Sequence, residues 1–244
     1  MKRENQRDNL LGSPEFLVDP NAALEGNPDI TNRLSGSEKS ALFQAAKICN
    51  FKTGEYLFRQ GEPHQGIHLI KSGKIRSFYC SPVGKEFTLA YWTPGHFVGA
   101  PQVLGGGENM WSSVAERTSM TLFLKPDVLN SLTLRMPNLA LGLIDGLGYK
   151  AALYAKIAQV VGTTPISARL ALLLLSLADH QREAAPNVLE IHGHHSQERL
   201  AMMIGSTRQA VAQMLDRFEK AGLISRDGKV IRIVDVLALE RILE

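Results

Sequence analysis

Residues 196–224 carry side chains whose chemistry suits the reading of a nucleic-acid duplex. Thr207, Arg208, Gln209 and Gln213 recur at helical spacing, and Arg and Gln are the residues that make paired hydrogen bonds to guanine and adenine edges. Ser196, Gln197 and Arg199 precede them, and Lys229 follows in a turn; hydroxyls, amides and cations of this kind anchor on phosphate oxygens. A second group could serve iron. His64, His68, His96 and Met110 are each competent haem ligands. His192, His194 and His195 cluster closely enough to hold a metal, although a solvated turn is the simpler reading. Cys49 and Cys80 could form a redox couple, but two thiols build neither a disulfide framework nor a four-thiolate zinc or iron–sulfur site.

Positioning the first group takes two helices and a hairpin. Ser196 is expected to cap a helix that turns Leu200, Met203 and Ile204 inward, and Gly205 to break it with a tight turn. Thr207 then caps a second helix with Val211, Met214, Leu215 and Phe218 on one face, closed by Gly222. Asp227-Gly228 between two short apolar runs is a hairpin signal. Helix-turn-helix followed by a β-hairpin is a winged helix, and its outer polar stripe predicts DNA binding. Upstream, Pro165 opens a largely buried helix over 166–178, and 188–191 reads as a short strand. Residues 165–244 hold equal numbers of basic and acidic side chains. Attraction to phosphate must therefore come from local placement of Arg199, Arg208, Arg226, Lys229 and Arg232, and from helix N-termini.

The remainder of the chain divides in three. Residues 1–35 read as a loose extension, and Gly12-Ser13-Pro14-Glu15-Phe16 resembles translated cloning-site sequence. Residues 36–135 open with a short helix capped by Ser37, with Leu42, Ala45 and Ala46 as its apolar face. They continue as glycine-punctuated strands over 67–71, 74–80 and 86–92, with hairpin signals at Ser72-Gly73 and Pro82-Val83-Gly84, which argues for a β-sandwich or barrel. Residues 136–163 turn helical: Leu143, Leu147, Lys150, Tyr154, Ile157 and Val161 alternate by fours and threes, a seam expected to pair with a second copy. Gly142, Gly146, Gly148 and Gly162 weaken that helix, so packing must hold it. The winged module fills 164–244, and the whole is an α+β chain. Across its 244 residues, 44% hydrophobic and 21% charged side chains exclude bulk disorder, and a net charge of +3 permits a polyanionic partner. No apolar run approaches membrane-spanning length and none follows the charged start, so a cytoplasmic location is expected.

The pattern LAxxIGxTRxxVxxxLxxxExxGLI over 200–224, the run Gly54-Glu55-Tyr56-Leu57-Phe58-Arg59-Gln60-Gly61-Glu62 and the run Pro94-Gly95-His96-Phe97-Val98-Gly99 carry a resemblance. In this order of parts the chain resembles the cyclic-AMP receptor protein/fumarate–nitrate regulator (Crp/Fnr) family of bacterial transcription factors, over roughly 35–235. The resemblance implies a cyclic-nucleotide-binding-like jelly roll (β-roll) that senses a signal, a dimerisation helix, and a winged helix-turn-helix on a palindromic operator. It further implies an allosteric homodimer, RNA polymerase as a further partner, and no enzymatic activity.

Departures from the family set the expected effector. Nucleotide-binding members place Gly-Glu and later Arg-Ser in the roll; here Gly99 is kept, but Ala100, Met110 and Trp111 stand at the other positions. A buried phosphate without its arginine is an unpaired charge, which argues against cyclic AMP. Tyr154 and Ala155 occupy the positions that contact the nucleotide base, and with Trp92 and Lys150 they would make the cavity apolar and aromatic. The expected effector is a small apolar or aromatic molecule, such as an aromatic acid whose carboxylate meets Lys150, with haem second. In the opposing view, Met110 and Trp111 simply fill the pocket. A cupin-like metalloenzyme is the alternative outside the regulators, but His64 and His68 lack the spacing such enzymes use, and it leaves the winged helix unexplained.

Overall fold

The computed structural model describes residues 29–182, 190–191, 195–228 and 230–243. The expectations for Gly12–Phe16, His192, His194 and Lys229 lie outside the described residues. The chain forms two compact units, one ending at Tyr154 and the other beginning at Ala155.

In the first unit, helix α1 (Gly36–Ala45) is capped by Ser35 rather than Ser37. Ser35 Oγ accepts the Glu38 N–H at 3.3 Å, and Glu38 Oε2 accepts the Ser35 N–H at 2.7 Å. Reciprocal capping needs an acid three residues on, which Ser35 has and Ser37 lacks. Of the expected apolar face only Leu42 is buried.

Six antiparallel strands follow: β1 (Lys47–Phe51), β2 (Tyr56–Phe58), β3 (Ile67–Cys80), β4 (Glu86–Trp92), β5 (Phe97–Val98) and β6 (Ser112–Leu124). They run in the order β1-β6-β3-β4, with β2 on β6 and β5 on β3. The turn between β3 and β4 is the expected hairpin, closed by Ser81 N–H to the Lys85 carbonyl at 2.9 Å. Ser72-Gly73 is no hairpin. It lies inside β3, where the register against β6 shifts on both sides of Ser72. Gly73 sits at φ +91°, and a Cβ there would fall 2.1 Å from Ser119 Oγ, so the glycine serves a bulge and a close strand approach.

Ile67, Leu69, Leu122 and Leu124 on one sheet face pack against Leu129 and Leu132 of α2 (Pro126–Arg135) and against Leu139 and Leu143 of α3 (Pro137–Thr163). Burying each such side chain contributes about 1.5–3 kcal/mol. The helix glycines have a purpose here. A Cβ on Gly142 would lie 2.2 Å from the Ile30 carbonyl oxygen, and one on Gly146 would lie 2.8 Å from the Phe97 ring.

The expected seam on α3 is divided between core and surface, with Val161 exposed. Leu143 and Lys150 are buried within their own unit. A different heptad stripe is exposed: Leu141, Ile144, Gly148, Ala151, Ala155, Ala158 and Gly162.

The second unit holds α4 (Ile166–Arg182), β7 (Glu190–Ile191), α5 (Gln197–Ile204), α6 (Arg208–Lys220), β8 (Ile224–Asp227), β9 (Val230–Ile233) and α7 (Val236–Arg241). Its sheet runs β7-β9-β8, and its core joins Leu170, Leu173 and Leu174 to Leu200, Val211, Leu215, Phe218 and Ile231. No helix among the described residues is long and apolar enough to cross a membrane.

Candidate nucleic-acid interface

Ser196 caps α5, its Oγ accepting the Arg199 N–H at 3.1 Å. The helix ends at Gly205, in the left-handed region at φ 65°, ψ 43°. Thr207 then caps α6, its hydroxyl accepting the Ala210 N–H at 3.1 Å. Val211, Leu215 and Phe218 turn inward, which leaves Thr207, Arg208, Gln209 and Gln213 exposed on the opposite face. Arg208 is the first residue of the helix, so its guanidinium and two amides stand at the end where unbonded N–H groups and the helix dipole favour an anion. Ser196, Gln197 and Arg199 share the corresponding N-terminal turn of α5.

One residue of this arrangement escaped sequence reasoning. Arg169, on α4, is 6% exposed and donates through Nη1 to the Ile204 carbonyl at 2.7 Å, fixing the last turn of α5 where the chain swings into α6. Burial lowers its pKa, and its Nε has no partner. A single cation within the apolar stretch 166–178 was the available signal.

Two of the expected phosphate anchors hold carboxylates of their own chain. Arg226 is bound by Glu219 through Nε at 3.0 Å and by Asp216 through Nη2 at 2.7 Å. Glu219 holds the Arg226 pKa up, and Arg226 in turn lowers that of Glu219. Arg232 is paired with Glu190, its cross-strand neighbour. Both cations are neutralised within the protein.

The residues expected to sense a signal are brought together only in part. Trp92 is fully buried and donates through Nε1 to Ser77 Oγ at 3.0 Å. Lys150 lies over its ring, 3.6 Å from the centroid, and donates to the Phe97 carbonyl at 2.7 Å. Burial pushes the Lys150 pKa down to about 7. Its ammonium thus already holds partners from its own chain where an effector carboxylate was expected. Trp111 meets Tyr154 edge-on at 5.9 Å, and the Tyr154 hydroxyl is buried without a partner, which raises its pKa. Gly99 and Ala100 are buried, Ala100 donating its N–H to His64 Nδ1 at 3.4 Å. Met110 does not line this cluster: it is 59% exposed on the loop before β6, and Ala155 is exposed on α3.

The three histidines of the β-roll, His64, His68 and His96, are buried. His68 lies in β3 between the rings of Phe58 and Phe123, with Nδ1 3.0 Å from Thr121 Oγ1. Burial, reinforced by His64, lowers its pKa to about 4. His96 packs between Trp92 and Tyr149. Among the described residues no three His, Cys, Asp or Glu side chains converge to hold a metal ion.

The model of the cyclic nucleotide-binding domain matches residues 48–135, and that of the Crp-like helix-turn-helix domain matches 168–242. The chain belongs to the Crp/Fnr family. Among its relatives, the transcriptional activator protein Anr of Pseudomonas aeruginosa is 24% identical over 191 residues, 77% of each chain. The CRP-like cAMP-activated global transcriptional regulator of Mycobacterium tuberculosis is 25% identical over 202 residues, 83% of this chain and 90% of the relative. A solved Crp/Fnr-family structure from Eubacterium rectale superposes with a TM-score of 0.67 at 18% identity, covering 88% of this chain and 97% of that one. A CooA mutant from Carboxydothermus hydrogenoformans gives 0.66 at 20% identity, covering 91% and 97%. These likenesses show the fold. As a Crp/Fnr regulator, the protein carries α6 as the second helix of a DNA-binding helix-turn-helix.

Proposed function

We propose that the protein is a dimeric, sequence-specific transcription regulator of the cytoplasm whose β-roll senses a small, largely apolar or aromatic molecule. The observation that carries the DNA reading is the exposed Arg208–Gln209–Gln213 face at the N-terminus of α6. Arg208 would take guanine N7 and O6, Gln209 and Gln213 further base edges, and Ser196, Thr207 and Arg199 phosphates. Lys229 is kept as a phosphate contact on its position in the sequence alone.

Pairing of two copies is supported by the apolar stripe on α3. Leu141, Ile144, Gly148, Ala151, Ala155, Ala158 and Gly162 repeat by threes and fours, the period of a two-helix seam, and the small side chains from Gly148 onward permit close backbones. Such a dimer would set two copies of α6 about 34 Å apart, in successive major grooves of a palindromic operator.

This reading sets cyclic AMP aside. Ala100 is buried without charge and Met110 points to solvent, so neither supplies the polar groups that a ribose and a cyclic phosphate need. Effector binding would shift the DNA-competent population by a coupling of about 1–3 kcal/mol. Genome-wide footprinting of the purified protein, with sedimentation of the wild type and Ala151→Glu, tests the reading. Protection of two-fold symmetric sites by a dimer that Ala151→Glu dissociates supports it. A monomer with no sequence preference overturns it.

A further inference from the structure

Helix α6 contains two carboxylates, Asp216 and Glu219, and one guanidinium from the wing binds both. Arg226 Nη2 donates to Asp216 Oδ1 at 2.7 Å and to Glu219 Oε2 at 2.5 Å, and its Nε donates to the same Glu219 oxygen at 3.0 Å. Glu219 Oε1 accepts the Arg226 backbone N–H, also at 3.0 Å, so strand β8 grips this acid at two points. Asp216 stands three residues past Gln213 and seven past Gln209, which puts it on the same exposed side of the helix. The triad is not needed to seat the wing. Phe218 of α6 and Ile224 of β8 already share one core, and the Leu223 N–H donates to the Phe218 carbonyl at 2.9 Å. Partly exposed ion pairs add little stability beyond such packing. What the triad changes is the charge that the wing can offer to another molecule.

We propose that Asp216 and Glu219 act as a guard on Arg226, holding the wing's guanidinium to the recognition helix and keeping it off the phosphates of a bound duplex. One carboxylate would suffice to cancel the cation. With two, the guanidinium is fixed by three charge-assisted hydrogen bonds, which it must give up to swing onto a phosphate. The guard stays closed at ordinary pH, because the hydrogen bond from Arg226 holds the Glu219 carboxyl below its usual range. Arg232 on β9 is restrained in the same way by Glu190, its cross-strand neighbour. Each of these two strands thus carries an arginine that a carboxylate of the protein already holds.

The proposal rests on α6 as the helix that meets the duplex, and its test separates the two. Full-length protein is bound to a duplex of arbitrary sequence, and to immobilised heparin, a polyanion without bases, over a range of salt concentrations. Asp216→Asn combined with Glu219→Gln frees the guanidinium, and the new amide oxygen can still accept the Arg226 backbone N–H. This double variant should steepen the slope of log affinity against log salt by about 0.9, the value of one added phosphate contact. Arg226→Met should abolish that gain in the double variant and lower the slope of the otherwise wild-type protein by less than half as much. Both Arg226→Met steps remove the same charge, so net charge cancels from the comparison. Equal steps in the two backgrounds would overturn the proposal, as would an unchanged slope in the double variant. On heparin the double variant should elute last, and Arg226→Met should shift its elution more than that of the wild type. If the wild type binds no duplex, the reading of α6 fails, and the heparin comparison alone decides whether the guard exists. Thermal unfolding is followed for each protein. Should the double variant unfold at the assay temperature, Asp216→Asn alone, at an exposed position, carries the same comparison at smaller amplitude.

Discussion

Lys150 and Trp92, 58 positions apart in the chain, form a buried cation–ring pair with the ammonium 3.6 Å from the ring centroid. The pair fastens α3 to the sheet, because the same ammonium donates to the Phe97 carbonyl. A lysine held near pKa 7 in the folded state, against 10.5 as its ordinary value, binds fewer protons than its unfolded counterpart between those limits. Folding stability therefore rises with pH across that window, by about 1.4 kcal/mol per unit, and the burial penalty is full below pH 7. Lys150→Met should accordingly stabilise the protein most at pH 6 and progressively less towards pH 10. Urea unfolding of both proteins across this range is the measurement, and parallel pH profiles would contradict the assignment.

Arg208→Ala should cost about 1–3 kcal/mol in operator affinity and relax the preference at one base pair. Thermal unfolding should be unchanged, since Arg208 is exposed. Binding to a randomised site library resolves the two effects. Uniform weakening at every position would reassign Arg208 to phosphate.

Arg169→Met removes the hydrogen bond to the Ile204 carbonyl and leaves that oxygen buried. The expected destabilisation of the winged module is about 1–3 kcal/mol. Arg169→Lys, which restores one donor on a flexible stem, should recover part of it. Hydrogen exchange at the Ser206 amide, which bonds to the Ala201 carbonyl, should quicken in Arg169→Met ahead of exchange in the α4 core.

His68 titrates near pH 4 in the fold against an ordinary 6.5, so the unfolded chain takes up the proton first as pH falls. Its contribution is complete above pH 6.5 and is lost towards pH 4, at about 1.4 kcal/mol per unit. His68→Phe keeps a ring between Phe58 and Phe123 and should flatten this acid limb. A retained slope in the variant would point to other groups.

The winged module was legible because its signals are local. Thr207 and Ser196 cap their own helices, and Gly205 and Gly222 both adopt positive φ where the pattern required a turn. The β-roll was legible in kind but less so in detail. A glycine at positive φ serves a hairpin or a bulge equally well, and only the pairing of β3 with β6 shows that Gly73 belongs to a bulge. On α3 two heptads interleave; the sequence favoured the one with larger side chains, and Leu143 and Lys150 of that set went into the protein's own core. The partner of Arg232 lies 42 positions away, and that of Lys150 farther still, so neither could be found from spacing.

The internal neutralisation of Arg226 and Arg232 governs how such a protein would search a genome. Each cation that embraces its own carboxylate releases no condensed sodium or potassium ions on meeting a duplex. Loose attachment to arbitrary sequence then rests on the remaining cations, Arg199 and Lys229 among them, and loses the salt dependence that these two would have added. Residence comes to depend on matched base edges more than on bulk attraction, so a few amides and one guanidinium can decide where the molecule stops.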